Sequence, residues 1–357
     1  MSTSFSIVFA ILLFSVLIFV HEFGHFIAAK LSGVQVNEFA IFMGPALVKW
    51  RRGETDYSIR CIPIGGFCAM EGEDEDTDNP RSFQKAKWWK RLIILVAGSF
   101  MNLVAGVIIY GILFMPMDEI AVPEINSFTE CCTFNTEDGL HVGDEFLEID
   151  GEKVYVKGDI STLLSINPTG VHDLVIRRGD EILTFEDYPM AHTHEEKGEE
   201  PYRHYGFGYG RAEAATFGKK LQYLAKVTLD DIRMVRLSLQ MLLTGQAGLK
   251  DMGGPVLIVQ TMTEVAAESK TLGIAVQNLL AFGAFLAINL AVMNMLPIPA
   301  LDGGRVVGLL LTTAVETVTG KKLNPKIEGY VHGIGMVLLL ALMALIMFKD
   351  IFAIFKG

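Results

Sequence analysis

Cysteine is scarce in this chain, with 4 in 357 residues. Cys131 and Cys132 are adjacent and Cys61 and Cys68 share one segment, so no disulfide framework can be read from the spacing. Nor do these spacings match a zinc ribbon or finger, and ordinary small hydrophobes is the plainer reading of all four. An excess of positive charge is also missing. The formal net charge is −11, which argues against nucleic acid or anionic lipid as a partner. The acid is concentrated in Glu71–Asp78 and His194–Glu200, which read as solvated loops. Charge of either sign is absent from four long stretches: Phe5–Val20, Leu92–Met117, Leu272–Pro299 and Tyr330–Phe348 contain no Asp, Glu, Lys or Arg. Each is near or above the ~20 residues that cross a bilayer. With 51% hydrophobic residues so distributed, several membrane spans with a small soluble module fit better than one large soluble enzyme. The first span has no basic stretch before it and carries chemistry of its own at its end, so it is expected to be retained rather than removed as a signal peptide.

Between the spans the order of elements is legible. Val36 to Met70 reads as strands broken by turns, a β-hairpin with a Pro63-Ile64-Gly65-Gly66 corner. Arg81, Lys85, Lys87, Lys90 and Arg91 crowd the start of the second span, with Lys49, Arg51 and Arg52 on the same side, which places that side in the cytoplasm. Lys321, Lys322 and Lys326 fall on that side too. The N-terminus is then outside, and the stretch from Asp118 to Tyr209 is extracytoplasmic. Lys219, Lys220, Lys226, Arg233 and Arg236 run against this count, but they interleave with Leu221, Leu224, Val227, Ile232, Val235 and Leu239 as an amphipathic helix lying on the membrane would. Within the soluble stretch, the Asp138–Asp144 turn, the Phe146–Ile149 strand and the Asp150-Gly151 turn precede a helix at Asp159–Ile166. A hairpin around Arg178-Gly179-Asp180 follows. GLxxGD turn, helix and hairpin in that order resemble one PDZ domain.

The chemistry begins at His21-Glu22-Phe23-Gly24-His25. An i, i+4 spacing stacks both imidazoles on one helix face, where two nitrogens reach one Zn²⁺, and Glu22 lies beside the metal as a proton acceptor. Satisfied polar residues at a helix end are the bland alternative. Ionisable groups at the end of an apolar run are costly in lipid, however, which favours function. Catalytic zinc usually takes three protein ligands and leaves a place for water. Asp302 is the best third candidate, since it follows the helix-breaking Pro297 and Pro299 and precedes Gly303-Gly304. A salt bridge from Arg305 is the alternative for Asp302. His332 is the rival ligand, and its glycine neighbours favour reading it as a hydrogen-bonded histidine between helices. Asn294 is either a span-to-span hydrogen bond or a substrate contact.

An HExxH in the first span and a late N-x-x-P-x-P-x-x-D-G-G after the third together resemble the site-2 protease family. Thr55–Phe67, Lys90–Asn102 and Gly254-Pro255-Val256 are similar to its RseP branch. Two departures are Ser99, where the family usually has proline, and a single PDZ-like unit where some members have two. The resemblance implies that His21, His25 and Asp302 bind Zn²⁺ and that Glu22 is general base and acid. It also implies that Asn294, with the Gly65-Gly66 edge of the hairpin, holds an unwound substrate. The expected protein is therefore a mainly α polytopic membrane protein of about four transmembrane helices, with a membrane-associated β-hairpin and an inserted extracytoplasmic PDZ-like α+β domain. Its expected divisions are 1–117, 118–209 and 210–357. As a zinc metalloendopeptidase in a bacterial inner membrane, it would cut single-span proteins such as anti-sigma factors and remnant signal peptides after a first outside cut. It would need the lipid bilayer, no nucleic acid and no organic cofactor.

Overall fold

The computed structural model describes residues 3–73, 77–129, 136–167, 169–190, 192–194, 202–248, 252–320 and 325–356. Cys131, Cys132, Lys321, Lys322, residues 74–76 of the first acidic run and residues 195–200 of the second lie outside the described residues. The elements in chain order are α1 (Thr3–Ser32), β1 (Val36–Arg52), β2 (Thr55–Met70), α2 (Trp88–Phe114), β3 (Glu119–Phe128), β4 (Glu145–Ile149), β5 (Glu152–Lys153), α3 (Lys157–Ile166), β6 (Val171–Arg178), β7 (Glu181–Pro189), β8 (His192–His194), β9 (Tyr202–His204), β10 (Phe207–Ala214), α4 (Phe217–Thr244), α5 (Pro255–Glu268), α6 (Leu272–Asn294), α7 (Asp302–Thr319) and α8 (Pro325–Lys356). Two compact units result, one running up to Tyr110 and resuming at Met234, the other Gly111–Arg233.

Among the described residues, four helical stretches are long and apolar enough to cross a membrane: Ile7–Ser32, Trp88–Phe114, Leu272–Asn294 and Gly329–Phe352. These coincide with the charge-free stretches. Their outward side chains, such as Leu12, Leu31, Ile112 and Val337, are exposed. Lipid tails are as apolar as leucine, so helix association there rests on close packing at small residues. That packing is visible at Gly24, where an added Cβ would strike the Ala97 carbonyl and come within 2.8 Å of Met101 Cγ. At Gly106 a Cβ would meet Ile288 at 2.7 Å and the Ala284 carbonyl at 3.0 Å. One apolar cluster gathers Leu13 and Leu17 with Met262, Leu279 and Ala287; a second gathers Ala29, Val36, Phe39, Ile94 and Leu309. Helix starts are secured from both near and far. Thr271 caps α6 through its hydroxyl, which accepts from the Ile274 amide, while α5, opening on Gly254 without a capping side chain, donates its Gly254 N–H to Asp350 Oδ2 at 2.9 Å.

β1 and β2 form an antiparallel ribbon whose pairing is doubled at one end. Phe39 is partnered with both Tyr57 and Cys68, Ala40 with Ser58 and Phe67, and Ile41 with Ile59 and Gly66. Residues 39–41 are thus the middle of a small sheet, and the Gly66–Cys68 stretch lies along its edge. Arg60 ties the ribbon internally by donating to Glu38 Oε1 and the Gly44 carbonyl, both at 2.7 Å.

The second unit is a six-stranded sheet in the order β10-β3-β4-β6-β7, with β5 paired to β4. Alternation in β6, where His172, Leu174 and Ile176 are buried and Val171 and Asp173 are exposed, matches a sheet with one covered face. The covering helix is α3, which buries Ile160, Leu163 and Leu164 opposite Phe146, Ile149 and Ile125. The expected helix and the hairpin around Arg178-Gly179-Asp180 are present, and β3 and β10 are strands that the turn signals had not indicated.

Candidate metal centre

The HExxH lies on α1 well inside the helix, so its two imidazoles stack on one face with ring centroids 4.8 Å apart. His21 Nε2 and His25 Nε2 are 3.2 Å apart. Asp302, the first residue of α7, brings Oδ2 to 3.1 Å from His21 Nε2 and 3.3 Å from His25 Nε2. Four-coordinate zinc with bonds of about 2.0–2.2 Å keeps its ligand atoms roughly 3.3 Å apart, so the three separations suit one ion. These three are the group of His, Cys, Asp or Glu side chains that could hold a metal ion among the described residues. Asp302 Oδ2 is buried and makes no hydrogen bond despite both imidazoles being so near. Lone pairs converging on a common point, rather than N–H pointing at oxygen, is what a cation site requires.

The sequence places each of these groups by a separate device. His25 Nδ1 lies 2.7 Å from the Ile94 carbonyl of α2. A carbonyl only accepts, so Nδ1 carries the hydrogen and the lone pair stays on Nε2, the nitrogen that faces His21 and Asp302. Gly98, one helical turn further along α2, abuts the same two rings. A Cβ there would collide with His25 Nε2 and lie 2.8 Å from His21 Nε2. Asp302 is delivered by the turn 295–301, in which Ala300 adopts φ 83°. A Cβ on Gly303 would strike the Met295 and Leu296 carbonyls and one on Gly304 the Ile298 carbonyl, so only glycine lets α7 start against this turn. His332 Nδ1 accepts the Ala300 N–H at 3.2 Å, a bond that steadies the turn. Arg305 pairs with Glu73. The alternative of an Arg305 salt bridge to Asp302 thus gives way at Oδ2 to the two imidazoles.

Glu22 follows His21 in the helix, and its Cγ lies 3.7 Å from where a Cβ of Gly66 would be. That same Cβ would lie 3.0 Å from the Ala40 carbonyl. The edge of the ribbon therefore runs beside Glu22. Gly65 has φ 84° and turns the chain into that edge. Asn294, the last residue of α6, sets its Nδ2 3.5 Å from His21 Nδ1, and Asn102 of α2 sets its own at 3.4 Å. Gly24, Ile94, Gly98 and Asn102 had no individual role in the sequence reading. Small residues and an amide within apolar spans were their only signal.

Two imidazoles and a carboxylate around one point, with a glutamate alongside and all of it on apolar helices, define a metal-dependent peptidase of the membrane. The sequence comparisons agree, and the sequence model of peptidase family M50 matches residues 9–342. The chain belongs to this family. A protein of Clostridium perfringens named as a zinc metalloprotease is 37% identical over 350 residues, covering 97% of this chain and 98% of its own. One of Clostridium acetobutylicum with the same kind of name is 37% identical over 347 residues, 97% of each chain. The regulator of sigma-W protease RasP of Bacillus subtilis is 28% identical over 429 residues, covering 97% of this chain and 98% of its own. The chain is accordingly a zinc metalloendopeptidase of the site-2 protease type and a membrane protein.

Proposed function

We propose that this protein cuts single-span membrane proteins, anti-sigma factors and remnant signal peptides among them, after a first cut outside the bacterial inner membrane. His21, His25 and Asp302 hold the zinc, and the observation that carries this assignment is the unpaired, buried Asp302 Oδ2 between two imidazole nitrogens. Zinc bound there supplies Lewis acidity toward water and the scissile carbonyl. Glu22 is the general base that takes a proton from the attacking water and, as general acid, returns it to the leaving amine. Peptide bonds of a helical substrate are protected by their own hydrogen bonds, so the substrate must unwind before cleavage. The Gly65-Gly66 edge gives the extended segment backbone partners beside Glu22, and Asn294 contacts it from the end of α6. Exposed Leu47, Val48 and Trp50 on the ribbon suit contact with the bilayer. Residues 118–209 form a PDZ-like extracytoplasmic domain between the segments 1–117 and 210–357, and it screens substrates by size or binding. The RasP relative regulates sigma-W by its name, which supports a signalling role here.

The deciding measurement is made on Glu22→Gln. The amide keeps the shape of the side chain without its basicity, so zinc content should be unchanged while cleavage of a trimmed single-span substrate falls by about 10²–10⁴-fold. Full activity in that variant would remove Glu22 from the mechanism.

A further inference from the structure

His25 has its non-metal nitrogen fixed by the Ile94 carbonyl, whereas His21 faces two amides. Metal ligation through Nε2 requires hydrogen on His21 Nδ1, and that hydrogen needs an acceptor. Asn102 and Asn294 approach Nδ1 with their nitrogens at 3.4 and 3.5 Å, the orientation suited to the other tautomer. The two amides are not equivalent. Asn102 is only 1% exposed, and its Oδ1 is buried without a hydrogen-bond partner. Half a turn about its last side-chain bond leaves the amide's shape unchanged and brings that oxygen to His21 Nδ1. Asn294 is partly exposed at the open end of α6, where a substrate can reach it.

We propose that Asn102 is the positioning residue of the metal centre: its Oδ1 accepts the His21 Nδ1–H, fixing the zinc-binding tautomer and leaving the Asn294 amide for the substrate. The orphaned oxygen and the missing acceptor are the two halves of one hydrogen bond. The division of labour also explains why a buried amide sits one turn from Gly98, where the helices approach too closely to admit any other side chain. It rests on the assignment of His21 as a zinc ligand.

The test is zinc affinity of the full-length enzyme in detergent, measured by competition with chelators of graded strength, with helix content followed by circular dichroism. Asn102→Leu removes the acceptor at similar size and should weaken zinc by about 10–100-fold with helix content unchanged. Asn102→Asp can accept but has no N–H to donate, so it should hold zinc at least as tightly as the parent chain. Asn294→Leu should leave zinc affinity within about twofold while peptide cleavage falls. Parental zinc affinity in Asn102→Leu would overturn the proposal, as would an equal loss in Asn102→Asp, or a loss in Asn294→Leu in place of Asn102→Leu. A His21→Ala variant separates the two levels: if it retains parental zinc affinity, the ligand assignment itself fails, whereas zinc loss there with none in Asn102→Leu refutes the role of Asn102 alone.

Discussion

The two units differ in how some of their buried polar groups are satisfied. In the sheet unit the buried carboxylates of Asp144 and Asp159 close on arginines. Fully buried Asp144 takes two bonds from Arg178, at 2.8 and 2.7 Å, and Asp159 lies 2.9 Å from Arg233, which also pairs with Asp230. Its orphans are single ring or guanidinium nitrogens, His172 Nε2 and Arg233 Nε, on side chains otherwise engaged. Among the described residues of the helical unit the orphans include the Thr77, Ser82 and Ser99 hydroxyls and, on two residues that crowd the same imidazole, Asp302 Oδ2 and Asn102 Oδ1. Burying a polar group without a partner costs free energy. The ion pairs of the sheet unit are closed upon themselves, whereas Asp302 Oδ2 is left open at the point that the two imidazoles share.

This contrast can be broken most directly at Gly98. Replacing it with alanine drives a methyl group into both imidazoles, so zinc binding and peptide cleavage should fall together by more than about 100-fold while the sheet unit stays folded. Metal content and activity measured on one preparation check this. In the sheet unit the corresponding break is Arg178→Ala. It strands the Asp144 carboxylate and should destabilise that unit by about 3–5 kcal/mol in denaturant unfolding, with zinc content unaltered.

Acid sharpens the comparison further. Burial, then the neighbouring Asp159 charge, push the Asp230 carboxyl up to about 7. The folded sheet unit therefore holds a proton that the unfolded chain has released, so its stability should decline as pH rises from about 4 to about 7 and level off above. Asp230→Asn should flatten that slope, as read by hydrogen exchange in α3. Glu54 has the opposite sign. Hydrogen bonds from Arg81 and Lys30 hold its carboxyl at about 2, so its contribution is present above the ordinary carboxylate range and lost as pH falls from about 4.5 toward 2. This is the smallest effect, since the Arg81 side chain is 46% exposed and the pair is screened by water. Glu54→Gln should remove only the acid-side decline in exchange protection of the ribbon.

Spans, hairpin and the meeting of His21, His25 and Asp302 were legible in the sequence for different reasons. The spans announce themselves by the absence of charge over a bilayer's width, and the four helices found start or end within a few residues of those runs. HExxH is a local pattern whose geometry follows from helical pitch. Asp302 was accessible because prolines and glycines mark the turn that delivers it. What could not be read was which groups meet across helices. Ile94 acts through its backbone, so its side chain carries no trace of the role, and Gly98 matters through the atoms it lacks. The doubled pairing of residues 39–41 was hidden as well, because strand register is decided by partners and not by local alternation.

His25 and Asp302 come from opposite ends of the chain, and between them lies the whole sheet unit. Since the unfolded protein has no preformed site, binding is linked to folding, and zinc at a thousand times its dissociation constant would add about 4 kcal/mol to stability. Starving a cell of zinc would then do more than silence this protease. It would shorten its lifetime, making the abundance of the enzyme a readout of the metal supply.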